Sequence, residues 1–346
     1  MSIHQKFMQR CLDLATNGFG TTYPNPMVGA VIVYKNKIIG EGWHQKAGKP
    51  HAEVNAINSV KDTSLLKKST IYVSLEPCSH FGKTPPCADL IIAHNIPNVV
   101  VGCLDPNKKV AGRGVKKLLE AGRNVTVGVL EKECRDLNKR FFTFHQKKRP
   151  YIILKWAQTR DGFIAPLQQE TGNPFWITNP LSKQRVHQWR TQEHAILVGT
   201  NTVLKDNPQL NVRLWQGNNP TRVIIDRNLK TPRSHHVLDG SIPTLVLTEQ
   251  NVENTDKNIA YIQVSFDKTL PDEICNALHD CSIQSIIVEG GRETLQGFVD
   301  ANLWDEARVF IGNKELQNGI PAPTLDGQHI ADEILDNDTL KLYVHD

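Results

Sequence analysis

The stretches "HAEVNAI" (51–57) and "LEPCSHFGKTPPCADLII" (75–92) set a histidine two residues before a glutamate, then two cysteines, each directly after a proline. One imidazole and two thiolates are soft or borderline ligands, a set that suits zinc better than magnesium or calcium. Catalytic zinc commonly takes three protein ligands and keeps a fourth position for water, which such a centre activates near neutral pH. A carboxylate nearby, not itself a ligand, can shuttle protons between that water and a leaving amine. His51, Cys78 and Cys87 are therefore the candidate ligands and Glu53 the candidate proton shuttle.

Local structure supports the grouping. "STIYVSLEP" (69–77) reads as a strand ending at Pro77-Cys78, and "CADLIIAHN" (87–95) as a helix opening at Cys87. At a helix start the dipole favours thiolate. The pattern fits the zinc-deaminase signature, H-x-E followed by P-C-x-x-C, except that eight residues separate Cys78 from Cys87 instead of two. "SHFGKTPP" (79–86) is then a loop at the rim of the site. A lone histidine or cysteine is more often plain buried packing, and a purely structural zinc is a competing reading. The conjunction of the three motifs favours catalysis, because Glu53 has no purpose in a structural site. Cys11, Cys103, Cys134, Cys275 and Cys281 carry no ligand spacing and read as buried small hydrophobes.

Around this centre, strand-like runs alternate with helical patterns from Met1 to about residue 146. Phe7, Cys11 and Ala15 mark an amphipathic N-terminal helix, stopped by Gly18 and Gly20. Strands at 28–36, 37–44, 69–77, 98–106 and 124–130, with helices at 52–60, 87–95 and 114–122, imply a three-layer α/β/α sandwich. The polar run "HQKKRP" (145–150) marks a join, with the boundary near Lys148. Beyond it strands at 151–157, 194–199, 221–227, 244–248, 284–291 and 306–312 and helices at 179–191, 270–281 and 293–302 form a second α/β domain. The expected domains are 1–147 and 148–346.

The N-terminus lacks the continuous apolar core of a signal peptide, and no apolar run approaches the ~20 residues of a membrane span. Seven cysteines spread over 346 residues argue against a disulfide framework, so a cytoplasmic location is expected. The formal net charge is only +4 with scattered basic residues, which fits a phosphorylated small molecule better than nucleic acid or a membrane surface.

The runs "YPNPMVGAVIV" (23–33), "GEGWHQKAGKPHAEVNAI" (40–57), "LEPCSHFGKTPPCADLII" and "DPNKKVAGRG" (105–114) closely resemble the deaminase half of the bifunctional riboflavin-biosynthesis deaminase/reductase family, whose usual form is the long cysteine spacing. The resemblance covers residues 1 to 145. It implies a cytidine-deaminase-like domain and a diaminopyrimidinone substrate with a phosphoribosylamino group, deaminated to the uracil. It places zinc ligation on His51, Cys78 and Cys87 and proton transfer on Glu53. Asn25 matches the residue that holds the pyrimidine. His44, His80 and Lys83 match the substrate pocket, with Lys83 toward the phosphate. A turn role for Asn25 and a solvated loop for Lys83 remain open.

In the second half no G-x-G-x-x-G follows a strand. Instead "SIIVEGGRETLQGFV" (285–299) runs from an apolar strand through Glu289 and two glycines into a helix, whose free N–H groups suit a pyrophosphate, although such junctions are also common as plain turns. Together with "LKWAQTRDGFIA" (154–165), "WITNP" (176–180), "HAILVGTNTVLKDNPQLNVR" (194–213) and "VIID" (223–226), it resembles the reductase half of the same family. That implies a dihydrofolate-reductase-like fold and NADPH-dependent reduction of the ribosyl chain to ribityl.

The match carries cofactor contacts onto Gln158, Trp176, Thr202, Asp206, Gly291, Arg292, Glu293, Thr294, Leu295, Gln296 and Gly297, with Arg227 and Lys230 suited to a 2′-phosphate. Substrate contacts fall on Arg190, Leu210, Arg213 and Glu289, and Lys155 is placed to face the reacting carbon. On residues alone, surface charge is the favoured reading of Arg190 and Arg213, and a turn-forming role competes for Asp206. The chain departs from the family at Thr159-Arg160, at Pro174-Phe175 and in "FIGNKELQNGIPAP" (310–323). Two other readings stand beside the leading one: a nucleoside or tRNA deaminase with an inactive C-terminal scaffold, and a zinc-stabilised nucleic-acid-binding protein. Against the last, aromatic and basic residues do not interleave as stacking platforms require. Enzymes of this kind are commonly homo-oligomers, and the same is expected here.

Overall fold

A computed structural model of the chain describes residues 2–79, 85–107, 111–168, 175–253 and 256–345. The chain divides into two compact units, Met1–Lys147 and Lys148–Asp346.

In the first unit α1 (Ile3–Ala15) opens on a capping box, in which the Gln5 N–H donates to the Ser2 hydroxyl and the Ser2 N–H to the Gln5 side chain. The chain continues through β1 (Gly29–Tyr34), β2 (Lys37–Trp43), α2 (Ala52–Asn58), β3 (Thr70–Leu75) and α3 (Cys87–Ala93). β4 (Asn98–Cys103), α4 (Arg113–Glu120), β5 (Asn124–Val127), α5 (Glu131–Leu137) and α6 (Lys139–Lys147) complete it. The sheet order is β2-β1-β3-β4-β5, antiparallel on the β1 side and parallel from β3 to β5.

Alternation along the strands builds two cores. Ala30 and Ile32 of β1, Ile71 and Val73 of β3, and Val99 and Val101 of β4 pack with Ala56, Ile91 and Leu118 of α2, α3 and α4. Val31, Tyr72 and Val100, on the other face, meet Phe7 and Met8 of α1 and Phe141 and Phe142 of α6. The expected three-layer sandwich is the one that forms.

The second unit contains β6 (Tyr151–Gln158), β7 (Phe163–Ala165), α7 (Pro180–Gln192), β8 (Ala195–Gly199), α8 (Thr200–Asp206), β9 (Thr221–Ile225), β10 (Thr244–Thr248) and β11 (Ile259–Gln263). α9 (Leu270–Asp280), β12 (Ser285–Val288), α10 (Arg292–Asp300), β13 (Glu306–Ile311), β14 (Ile320–Pro321), β15 (Gln328–Leu335) and β16 (Asp338–Val344) follow. Nine strands form one sheet in the order β11-β10-β9-β8-β12-β6-β13-β16-β15, with parallel pairing throughout except where β16 pairs antiparallel with β13 and β15. Leu197, Val223 and Val288 face one core and Ile196, Val198 and Ile224 the other, so this sheet too is covered on both sides.

The sequence reading differs from the structure at several places. Residues 128–130 leave the strand expected there, because Gly128 (φ 94°) and Leu130 (φ 53°) turn the chain into α5. The basic run read as a join does hold the division between the units, but its first three residues are the end of α6, a helix that the sequence reading did not expect and that buries Phe141, Phe142 and Phe144. Cys281 is exposed, not buried, since it caps the C-terminus of α9 beyond the last core residue, Leu278. Among the described residues, no helix is long and apolar enough to cross a membrane.

Candidate functional site

In the first unit three separate elements bring the zinc candidates together. His51 stands at the N-cap of α2, Cys78 three residues beyond β3, and Cys87 is the first residue of α3. One ligand atom from each lies within 4.8 Å of the others. Cys87 Sγ is 3.4 Å and Cys78 Sγ 3.7 Å from His51 Nδ1, and the Cys87 N–H donates to Cys78 Sγ at 3.3 Å. The hydrogen bond from the Cys87 thiol, then His51 and the Cys87 N–H, hold the Cys78 thiol down to about 4. Cys87 is correspondingly raised by its bond to Cys78 and by burial. A borderline-soft donor set that converges, with Cys78 predisposed to thiolate, fits zinc.

Glu53 sits in the first turn of α2 with only 3% of its surface exposed. Burial, with Cys78 adding, pushes its carboxyl up to about 7. His44 Nδ1 lies 3.1 Å from the Pro50 carbonyl, so it carries the proton, and its Nε2 accepts from Asn25 Nδ2 at 3.1 Å. The His44 and His51 rings meet edge to face, 5.3 Å apart. Asn25 is thus tied into the site by its side chain, which a turn residue alone would not need. His80 and Lys83 lie outside the described residues.

Glu76, which the sequence reading passed over as a strand end, carries the site's framework. Its carboxylate accepts from the N–H groups of Asp105, Gly112, Gly114 and Val115, clamping the segment after β4 and the start of α4 to the strand end before Cys78. Those partners lie up to 39 residues away, so no local pattern announces them.

In the second unit a cleft of ≈ 1750 Å³ opens at the carboxyl ends of the parallel strands, where α/β sheets commonly bind ligands. Lys155 enters from β6, Gly199 ends β8, and Glu289 follows β12. A Cβ on Gly290 would stand 3.0 Å from the Gly199 N, and one on Gly199 would stand 2.9 Å from Thr294 Oγ1, so these two loops meet closely only as glycine backbone. Thr202 accepts the Gly291 N–H at the head of α10. Gly291, Arg292, Glu293, Thr294, Leu295 and Gly297 line the cleft, as do Trp176, Thr202, Asp206, Arg227 and Lys230. Gln158 and Gln296 stand outside that lining: Gln158 accepts from Trp156 Nε1, and Gln296 bonds Asp300 and Thr324. Arg227 is held in a two-pronged pair with Glu249 at 2.8 and 3.1 Å.

The polar centre of the cleft is Glu289. Arg190 Nη2 donates to it at 2.9 Å, and Lys155 Nζ lies 3.4 Å away. Burial works to raise its carboxyl, but Arg190 and Lys155 win and hold it at about 2. Burial in turn lowers Lys155. Leu210 is buried in the wall, while Arg213 reaches the rim and its N–H donates to His187 Nδ1. Two of the departures from the family touch each other: Arg160 bonds Asn313 and the Lys314 carbonyl, and Asp161 accepts the Leu316 and Gln317 N–H groups. Pro174 lies outside the described residues.

These two units define an enzyme that joins a zinc-site deaminase to a reductase. Residues 1–103 match the model of the cytidine and deoxycytidylate deaminase zinc-binding region, and residues 150–319 the RibD C-terminal domain. The riboflavin biosynthesis protein RibD of Aquifex aeolicus is 45% identical over 92% of this chain and 89% of its own length; that of Escherichia coli is 37% identical over 90% and 88%. Acinetobacter baumannii RibD superposes with a TM-score of 0.90 at 33% identity, covering 99% of this chain and 98% of that one. A deaminase/reductase from Thermotoga maritima gives 0.88 at 38% identity with the same coverage. The chain belongs to the RibD family of bifunctional riboflavin-biosynthesis enzymes, with deaminase and reductase on one polypeptide and Zn2+ and NADPH as cofactors.

Proposed function

We propose that residues 1–147 deaminate 2,5-diamino-6-(5-phosphoribosylamino)pyrimidin-4-one and that residues 148–346 reduce the product's ribosyl chain, giving 5-amino-6-(5-phosphoribitylamino)uracil. The observation that carries the reading is the convergence of His51, Cys78 and Cys87 within 4.8 Å of one another, with Glu53 buried two residues from the first.

His51, Cys78 and Cys87 would hold zinc, which when bound supplies the Lewis acid that activates water. Glu53 takes a proton from the attacking water on its carboxylate and returns it to the leaving amine. Burial raises that carboxyl above the usual carboxylate range, which favours its taking the proton. Asn25 spends its NH2 on His44, which leaves Oδ1 to accept from the pyrimidine.

In the reductase cleft NADPH supplies the hydride, and the start of α10 with Thr202 is suited to its phosphates. Lys155, kept in place by Glu289, gives a proton from Nζ to the ribosyl oxygen or nitrogen beside the carbon being reduced. Its lowered pKa favours that release. Arg213, free of any carboxylate in the described residues, suits the substrate phosphate. The intact ion cluster disfavours an inactive scaffold. The reading includes a cytoplasmic homo-oligomer acting on small molecules, with neither nucleic acid nor membrane as partner; the small net charge supports the last point.

The test is metal analysis of the full chain together with two assays, ammonia release from the diaminopyrimidinone and NADPH oxidation on the deaminated product. Zinc near one equivalent with both activities is expected. Ammonia release from material without transition metal would defeat the deaminase assignment.

A further inference from the structure

One face of α7 lines the cleft with Lys183, Val186, His187 and Arg190, the i, i+3, i+4, i+7 positions of a helix. His187 is the unusual member. It is 4% exposed, and its Nδ1 accepts the Arg213 main-chain N–H at 3.2 Å. An imidazole nitrogen that accepts carries no proton, so the proton is on Nε2. Burial, with Arg190 and Arg213 beside it, keeps the ring neutral, its pKa lowered to about 4. Among the described residues no side chain or carbonyl takes the Nε2 proton, although the neighbouring donors are well matched: Arg190 with Glu289 and Asn211, Arg213 with Asn211. Nε2 is not one of the fully buried atoms that lack a partner, so it opens onto the cleft that His187 lines, where a bound group can accept its proton.

We propose that His187 Nε2–H donates to a phosphate oxygen of the reductase substrate, next to the Arg213 guanidinium, while Nδ1 fixes the Arg213 backbone. This rests on the reductase assignment made above and adds a substrate-binding residue to it. The two arginines supply charge there. The neutral imidazole supplies a directed donor that adds no further positive charge, and so fixes the orientation of the phosphate group.

Two substitutions separate the functions of the ring. H187N keeps an acceptor near the Nδ1 position for the Arg213 N–H and removes the distal donor. H187Q keeps a donor near the Nε2 position and removes the acceptor. Each full-length variant is assayed by NADPH oxidation on the phosphorylated ribosylaminouracil and on its dephosphorylated form. In H187N the preference for the phosphorylated substrate should fall about tenfold or more, as loss of a hydrogen bond to a charged group predicts, through KM for that substrate with KM for NADPH unchanged. In H187Q that preference should stay within about threefold of wild type. Equal losses on both substrates in H187N, or loss of the preference in H187Q as well, would refute the donor role. Should H187N lose its NADPH KM through misfolding, H187Q decides alone: a retained preference supports the proposal and a lost one ends it. Wild-type protein that oxidises no NADPH on either substrate would sink the reductase reading itself, a different result.

Discussion

Gly114 passes so close to Pro77 that a Cβ built on it would stand 2.0 Å from the Pro77 carbonyl oxygen. The start of α4 is therefore laid directly on the backbone that delivers Cys78 to the metal site. Only glycine permits the approach, and the neighbouring atom is main chain, which cannot swing aside. Gly114→Ala should lower the stability of the first unit by about 1–3 kcal/mol and speed zinc loss to a chelator. Denaturant unfolding and chelator competition measure the two effects. Wild-type values in both would mean that the contact is slack.

Glu76 reaches across the same junction from the other direction. Four N–H groups converge on its two carboxylate oxygens. Glutamine offers one acceptor oxygen and turns an NH2 toward two of those donors. Glu76→Gln should therefore cost about 2–4 kcal/mol, well beyond an ordinary surface change. It should also weaken zinc retention while NADPH oxidation on the deaminated substrate is preserved. An unfolding curve superimposable on wild type would contradict the clamp.

Glu289 gives a pH prediction with a definite sign. Its carboxyl is held at about 2 in the folded chain against an ordinary 4.5. A depressed carboxyl stabilises the fold fully above the unfolded value, and the contribution is lost as pH falls from about 4.5 toward 2. The size is roughly 3 kcal/mol. Glu289→Gln removes the charge and leaves Lys155 and Arg190 without their shared partner. The stability gap between wild type and variant should be widest near pH 6 and shrink below pH 4.5. Tryptophan fluorescence follows it, because every tryptophan except Trp43 lies in the second unit. A gap independent of pH would mean that the carboxylate is not paired.

The metal centre was legible in the sequence because its chemistry sits in three residue types at telling positions. His51 precedes a helix, Cys78 follows a strand, and Cys87 opens a helix. Strands buried on both faces, such as β4 and β12, were legible for the same kind of reason, as short apolar runs. β15 was not, since it is the outer strand of its sheet and leaves Ile330 and Ile334 51% and 68% exposed, with no core to impose an alternation. α6 was hidden by lysines and arginines around its phenylalanines, and α8 by a Thr-Asn start that resembles a loop. Glu76 and His187 act through partners distant in sequence, so their roles appear only when the fold brings those partners near.

Glu53 and Cys78 let the two halves of the chemistry be taken apart. Glu53 is buried beside the ligands but is not one of the three converging groups. Glu53→Gln should thus keep zinc at wild-type occupancy and lower ammonia release about 10²–10⁴-fold, the range that a positioned proton-transfer group supplies. Loss of zinc from that variant would make Glu53 a ligand. Cys78→Ser removes one of the two thiolates and should deplete zinc and ammonia release together. The reductase cleft is built wholly from residues of the second unit, so NADPH oxidation on deaminated substrate should continue in both variants. If that oxidation vanished in a folded Cys78→Ser protein, the two reactions would not belong to separate sites.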